Sequence, residues 1–534
     1  MMNGFKTLYE ELFCGSGRIL FEIMVKDGKT AVTAEEFTDA VDRIAGHLSP
    51  LLTQDQSPLT MRDQGPRSAQ DQRETRPFVG VRIRNSWLLY AVAFGVLKAG
   101  GNLVLLDAKS CAENIGQLLG EARGRLLITD SGAAPAADGI GNIDAAELLE
   151  PWEGPRAESW DGLMAFATSG TTGKSKIIAY GGEEIYRQVS RTAGWFQETP
   201  HIARLLGDSR AERERVMSIL PMHHIFGFLC PLILLRYGFR ILFPKNDAIS
   251  TILSTIKGER VWGCLSVPMF WQTVVNILSR RCGQFDREAV QRVLGDHFTF
   301  CLTGGTYADK KLRGQFLDAG LAFTLGFGMT ETGCCTMHFM DQSTLDSEGC
   351  LYRWYDAVIR DTEGNLAENG TGELLLKSDV LFKGYIKDGE LLPREDEGGY
   401  YPTGDIFRKA GGSITFVGRC KNVIVNESGE NIYIEELEQR FSALARYGVL
   451  YGIADVENEP LLVVKLGPDA PVDRICETVT EIVNGLPVYQ RPYKAVLTKG
   501  DVPLTAKGEL RRTAVTEALF DHGAEAELVF KSRK

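Results

Sequence analysis

Residues 166–176 read Phe-Ala-Thr-Ser-Gly-Thr-Thr-Gly-Lys-Ser-Lys, an apolar strand running into a loop of Thr168, Ser169, Gly170, Thr171, Thr172 and Gly173. Glycines let backbone N–H groups turn towards an anion and hydroxyls add donors, while Lys174 or Lys176 brings charge, so a polyphosphate suits this composition. A phosphate loop of the form G-x-x-x-x-G-K-[ST] is met by Gly173, Lys174 and Ser175 only in its second half. Its first Gly would stand at position 168, which is Thr, and residues 177–180, Ile-Ile-Ala-Tyr, read as a strand where that loop needs a helix. A turn joining two strands needs fewer hydroxyls and cations than stand here.

Other clusters carry chemistry only in company. Gly326-Phe327-Gly328-Met329-Thr330-Glu331 follows an apolar strand expected over 321–325. A hydroxyl beside a carboxylate there suits phosphate-bound Mg2+, although an exposed Thr-Glu at a strand end reads equally well. In Tyr401-Pro402-Thr403-Gly404-Asp405 the carboxylate follows an expected turn and could accept from two ribose hydroxyls, or simply cap the turn. Arg419 and Lys421 stand in a charged stretch, 418–430, that also reads as an interdomain connection. Pro503-Leu504-Thr505-Ala506-Lys507-Gly508-Glu509 is a basic turn whose plain reading is a solvated loop before a final helix.

These loops need elements to hold them. Residues 79–83 alternate as a strand, Asn85-Ser86 offers an N-cap, 87–98 reads as a buried helix, and Gly100-Gly101 ends it before a second strand at 103–106. That is a β-α-β unit and implies a parallel sheet. Further strands are expected at 126–129, 164–167, 216–220 and 372–376, so the fold class is α/β. Residues 53–76 are polar without an apolar period and read as an exposed insertion. From Val417 the texture changes to a charged stretch, a helix over 434–444 and a strand over 460–466, so the expected domains are 1–417 and 418–534.

The 534 residues carry 59 Lys+Arg against 70 Asp+Glu, a net charge of −11, which argues against a nucleic-acid binder. Hydrophobic residues at 44% and charged residues at 24% allow a large packed core. Eleven cysteines show no zinc-ribbon spacing and read as reduced, inert thiols, including the pair Cys334-Cys335; with no signal-like or membrane-length apolar run, a cytoplasmic location is expected.

Taken together, in this order and at these separations, the clusters resemble the adenylate-forming superfamily of acyl-CoA synthetases and peptide-synthetase adenylation domains, over residues 79–512. The runs Lys98-Ala99-Gly100-Gly101, Pro221-Met222-His223-His224-Ile225-Phe226-Gly227 and Gly304-Gly305 are similar to further signatures of that family. The resemblance implies a large N-terminal domain and a small mobile α+β domain, which together form acyl-AMP from ATP and a carboxylic acid and pass the acyl group to a thiol. By resemblance, the 168–173 loop and Lys176 hold phosphates, Phe327 in its Gly328 turn stacks on adenine, Thr330 touches the α-phosphate and Glu331 coordinates Mg2+. Asp405 and Arg419 hold the ribose, Gly304 is among the cofactor-binding residues, Lys421 is the hinge, Gly429 lies beside the thiol tunnel, and His224 lines the acyl side.

The expected cofactors are ATP, Mg2+ and, as co-substrate, CoA, with an acyl carrier protein as the rival acceptor. Residues 221–228 hold no Asp to pair with a substrate amine, which favours an acid without an α-amino group, fatty or aromatic. One departure stands out. The family's catalytic Lys follows a Gly at the C-terminal loop, and here Glu509 follows Gly508, with Lys507 two residues earlier. A carboxylate has the wrong sign for stabilising a developing anion. The expectation is that Lys507 serves instead; the alternative is an adenylation-impaired, nucleotide-binding member.

Overall fold

The computed structural model describes the chain except residues 1–2, 27, 55–77, 131–138, 169–174, 208–213, 342, 427–429, 505–511, 513–525 and 531–534. The polar insertion, most of the first phosphate loop, Gly429, Lys507, Gly508 and Glu509 therefore lie outside the described residues. Packing divides the chain into two compact units, Met1–Asp356 with Lys377–Tyr401, and Ala357–Leu376 with Pro402–Lys534.

The first unit holds two mixed sheets. One runs Gly333–Phe339, Ala322–Met329, Phe300–Gly304, Gly263–Ser266, Arg215–Ser218, Arg240–Phe243, Ile19–Val25 and Gly28–Thr33. The other runs Glu390–Pro393, Gly384–Lys387, Lys176–Tyr180, Met164–Thr168, Asn102–Leu105, Phe78–Arg82, Leu126–Thr129 and Gly141–Asp144. The helix Trp87–Lys98 is apolar nearly all round and buried along its length, as is Ile225–Arg236. An all-apolar helix needs apolar cover on every side. Ring contacts show where it comes from: Phe21 of the first sheet lies 5.7 Å from Tyr90, Tyr90 lies 4.9 Å from Phe228, and Phe166 of the second sheet lies 6.0 Å from Phe228. The two helices form the layer between the sheets, and each fully buried large apolar side chain there contributes about 1.5–3 kcal/mol.

In the second unit, Tyr401–Ala410 pairs antiparallel with Ser413–Arg419, and a further sheet of Leu450–Val456, Glu459–Lys465, Lys494–Thr498 and Ala526–Val529 packs with the helices Ile434–Arg440 and Val472–Gly485 around Ile432, Leu437, Leu462, Ile475 and Val479. The boundary expected after Val417 falls inside the strand Ser413–Arg419. That strand belongs to the second unit because the carboxylate of Glu435, on the helix Ile434–Arg440, accepts from the Arg419 N–H at 3.4 Å and from Asn422 Nδ2 at 2.5 Å.

Other expected elements are found close to their places: Trp87–Lys98, Asn102–Leu105, Leu126–Thr129, Lys176–Tyr180 and Glu459–Lys465. Two differ. The strand expected over 321–325 continues to Met329, because it pairs with Phe300–Gly304 on one side and Gly333–Phe339 on the other. The turn expected before Asp405 lies within the ten-residue strand Tyr401–Ala410, with Gly404 at φ +72°.

Candidate active site

The edge of the second sheet places the first cluster. In the antiparallel ladder Thr168 faces Lys176, Phe166 faces Ile178, and Ile178 faces Tyr385 on the next strand, so Thr168, Lys176, Ile178, Tyr180 and Tyr385 share one face. Thr168 is half-buried, and its Oγ1 donates to the Lys176 carbonyl at 3.4 Å. Lys176 is exposed, and its Nζ lies 5.0 Å from the centroid of the Tyr385 ring. Ser169, Gly170, Thr171, Thr172 and Gly173 lie outside the described residues.

That face meets the turn that carries Thr330 and Glu331. Three buried side chains fix the turn by its backbone. Tyr180 donates to the Thr330 carbonyl at 2.7 Å, and Tyr355 donates to the Thr332 carbonyl at 2.7 Å. Gln188 donates to the carbonyls of Thr332 at 2.9 Å and Val380 at 3.2 Å and accepts from the Cys334 N–H at 3.1 Å. Thr332 closes the turn on itself, its Oγ1 accepting from the Met329 N–H at 3.1 Å. Gln188 is 1% exposed, so each of its bonds avoids an unsatisfied buried group that would cost about 1–3 kcal/mol.

The glycines are close-approach positions. A Cβ on Gly328 would stand 1.9 Å from the Gly333 carbonyl oxygen, and one on Gly304 would stand 2.6 Å from the Gly326 oxygen and 2.9 Å from the Phe226 ring. Phe226 thus lies against bare backbone of two neighbouring strands, which brings the start of the helix Ile225–Arg236 to the strand that bears Phe327. Phe327 is half-buried, its N–H donating to Thr336 Oγ1 at 3.2 Å. His224 is the exposed N-cap residue of that helix, its ring 4.1 Å from that of His223, so it is no core histidine. Burial holds His223 below the usual imidazole pKa, Asp107 opposing and Lys109 adding to the shift.

The acidic end of the site is a chain of hydroxyls. The Tyr385 hydroxyl lies 3.5 Å from Glu331 Oε1 and 3.1 Å from the Tyr401 hydroxyl. Burial pushes Tyr385 up to about 12, with Tyr401 lowering and Glu331 raising it, and burial followed by Glu331 pushes Tyr401 higher still. Both hydroxyls keep their protons at neutral pH, so Tyr401 donates to Tyr385 and Tyr385 to the carboxylate. Among the described residues no group of three His, Cys, Asp or Glu could hold a metal by itself. Glu331 as a single carboxylate donor fits Mg2+, which keeps waters and takes phosphate oxygens for its other ligands.

Asp405 and Arg419 lie in the second unit, opposite each other in the ladder Tyr401–Ala410 to Ser413–Arg419, with 3.3 Å between Arg419 Nε and Asp405 Oδ1. Lys421 sits in the short turn Cys420–Asn422, where burial first, and then Arg419, lowers its ammonium pKa. Cys334 and Cys335 are buried, and burial raises the Cys334 thiol far above the usual range, so the pair is inert. The structure brings the expected residues Lys176, Thr330 and Glu331 close to one another around Tyr180 and Tyr385; Tyr180, Gln188, Tyr355 and Tyr385 are not singled out by the sequence, because they stand far along the chain from the turn 330–334.

Among the described residues no helix is long and apolar enough to cross a membrane. A family model described as AMP-binding enzyme matches residues 69–386, more than half of the chain. A long-chain-fatty-acid–CoA ligase of Mycobacterium tuberculosis is 24% identical over 383 residues, 67% of this chain and 71% of that protein. Feruloyl-CoA synthase of Amycolatopsis is 27% identical over 370 residues, 68% and 65% of the two chains. Among solved structures, o-succinylbenzoate coenzyme A synthetase of Bacillus subtilis superposes with a TM-score of 0.72 in its complex with ATP and magnesium, at 20% identity, covering 96% of this chain and 99% of that one. Its complex with the acyl-adenylate intermediate gives 0.73 at 20% identity, covering 96% and 97%.

Proposed function

The chain belongs to the AMP-binding enzyme family, and on that premise we propose that it joins a carboxylic acid without an α-amino group to the thiol of CoA through an acyl-adenylate. The observation that carries this reading is the cation of Lys176 and the carboxylate of Glu331 held on opposite ends of one Tyr385 side chain, beside the locked turn of Thr330. A polyphosphate with Mg2+ calls for a cation and an anion on the same site.

In the first half-reaction a carboxylate oxygen of the acid attacks the α-phosphorus of ATP, and the bond to the pyrophosphate oxygen breaks. Lys176 binds the leaving phosphates, and the Thr330 hydroxyl donates to the α-phosphate. Glu331, together with phosphate oxygens, would hold Mg2+, which would supply charge neutralisation in the displacement. Phe327 stacks on the adenine, and Asp405 and Arg419 hold the ribose. In the second half-reaction the thiolate of CoA attacks the acyl carbon, and AMP leaves. Rotation of the residues that follow Lys421 would exchange the groups serving the two steps. His224 and Phe226 flank the acyl side, and the lack of an acidic residue in 221–228 favours apolar acids, fatty or aromatic. The names of the relatives, ligases to CoA, favour CoA over a carrier protein.

The test is pyrophosphate release from MgATP over a panel of fatty, aromatic and short-chain acids, without thiol and then with CoA. Release that depends on the acid and rises with CoA supports the reading. Lys507→Ala decides whether Lys507 stands in for the Lys absent at 509: the account expects a loss of adenylation, and a wild-type rate overturns that assignment. If no acid supports release but Glu509→Lys restores it, the protein is the adenylation-impaired member.

A further inference from the structure

Tyr385 belongs to none of the motifs that point to the nucleotide, yet it is the side chain through which two of them meet. It stands opposite Ile178 on the strand Gly384–Lys387, next to the edge strand Glu390–Pro393, and a residue two places along the neighbouring strand, Lys176, is its diagonal neighbour on the same face. The Lys176 ammonium lies 5.0 Å from the ring centroid, within the range in which the negative face of an aromatic ring attracts a cation. The other end of the same residue, its hydroxyl, lies 3.5 Å from Glu331 Oε1 and accepts from Tyr401 at 3.1 Å. Phe382 fixes the base of the arrangement, its N–H donating to the Glu331 carbonyl at 3.0 Å and its ring 5.0 Å from that of Tyr385.

The geometry points to Tyr385 as a positioning residue for the polyphosphate and its metal: the ring face holds the Lys176 ammonium in place, and the hydroxyl orients the Glu331 carboxylate. The two functions reside on different atoms of one side chain. Lys176 is an exposed residue with a flexible stem that would otherwise sample many rotamers. The ring limits that freedom without neutralising the charge, as a carboxylate partner would, and so leaves the ammonium available to phosphate. The hydroxyl donates to one lone pair of Glu331 Oε1 and so fixes the direction in which that carboxylate faces. This inference rests on the reading of Lys176 and Glu331 as phosphate and Mg2+ groups.

Two variants separate the two roles. Tyr385→Phe keeps the ring and removes the hydroxyl; Tyr385→Leu removes both. The readouts are the equilibrium binding of MgATP by dialysis without any acid, and the Mg2+ concentration for half-maximal pyrophosphate release. Tyr385→Phe is expected to leave the affinity for ATP at saturating Mg2+ within about twofold of wild type and to raise the Mg2+ requirement roughly threefold to tenfold. Tyr385→Leu is expected to weaken ATP binding roughly threefold to thirtyfold as well. A purely structural tyrosine would give equal changes in both variants, or changes in kcat alone, and either result overturns the inference. So does a Tyr385→Leu protein that binds MgATP as wild type does. Should Tyr385→Leu fail to fold, Tyr385→Phe decides alone, an unchanged Mg2+ requirement overturning the inference. A wild-type protein that binds MgATP in dialysis but releases no pyrophosphate with any acid overturns the ligase reading only; the Mg2+ dependence of ATP binding then takes the place of the second readout.

Discussion

Lys98 is 6% exposed and lies at the end of the apolar helix Trp87–Lys98. Its ammonium is 2.5 Å from Asp42 and 3.1 Å from Glu158, and it sits over the rings of Tyr9 and Trp160 at 5.3 and 5.7 Å. Burial alone would lower its pKa, but the bonds to Asp42 and Glu158 outweigh burial and raise it. Removing the ammonium strands two carboxylates against an apolar wall, so Lys98→Ala is expected to cost about 2–3 kcal/mol, less than a fully buried pair because Asp42 and Glu158 remain partly wet. The sign of the pH dependence follows. A raised lysine pKa stabilises the fold below the unfolded value near ~10.4 and loses that contribution as pH rises through the folded value. Glu158 is held low despite burial, by Trp160 and Lys98, so its contribution is present above ~4.3 and fades as pH falls through its folded value. Chemical denaturation of wild type and Lys98→Ala across pH should therefore show a constant difference through neutrality that shrinks at both ends; a difference that grows at high pH would contradict the assignment.

The turn 330–334 is an element held by side chains from distant parts of the chain. Gln188→Leu keeps the volume but takes a side-chain partner from the Val380 carbonyl and the Cys334 N–H and leaves the Thr332 carbonyl with the Tyr355 hydroxyl alone of its two side-chain donors. A loss of about 2–4 kcal/mol in stability is expected, with a fall in kcat larger than the rise in the KM for ATP, because Thr330 and Glu331 lose their placement. Steady-state kinetics on Gln188→Leu would contradict this by showing wild-type kcat. Much of the fold around this turn was legible in the sequence. The helix Trp87–Lys98 announces itself by an apolar run between an Asn-Ser start and a Gly-Gly stop. The strand Ala322–Met329 was read short because Gly326 and Gly328 are poor strand formers in isolation; tertiary packing overrides that preference, since only a residue without Cβ fits beside Phe226 and the Gly333 carbonyl. Asp405 was read as following a turn for the same reason, Pro402 and Gly404 masking a strand that its neighbours pair. Gln188, Tyr355 and Tyr385 are illegible because no local spacing links them to the turn; the packing of the helix Gly182–Glu198 brings Gln188 there, the register of the strand Gly384–Lys387 brings Tyr385, and Tyr355 arrives from the segment before the strand Asp356–Arg360.

At the scale of the molecule, Lys176, Phe327, Thr330 and Glu331 lie in the first packing unit, and Asp405 and Arg419 lie in the second. Lys421, the proposed hinge, lies in the three-residue turn that separates the strand Ser413–Arg419 from Val423–Val425, within the second unit. Proline there fixes φ and removes an N–H. Lys421→Pro is expected to retain acid-dependent pyrophosphate release while lowering CoA-ester formation by roughly tenfold or more, and a proportional loss of both would contradict a hinge. The central claim is that the acid oxygen passes through an acyl-adenylate. Its most direct test is isotope transfer: the preferred acid, labelled with 18O in both carboxylate oxygens, is incubated with MgATP and CoA, and the products are weighed by mass spectrometry. The account predicts one labelled oxygen in AMP for each thioester formed and none in pyrophosphate; label in orthophosphate, or unlabelled AMP beside the thioester, would contradict it.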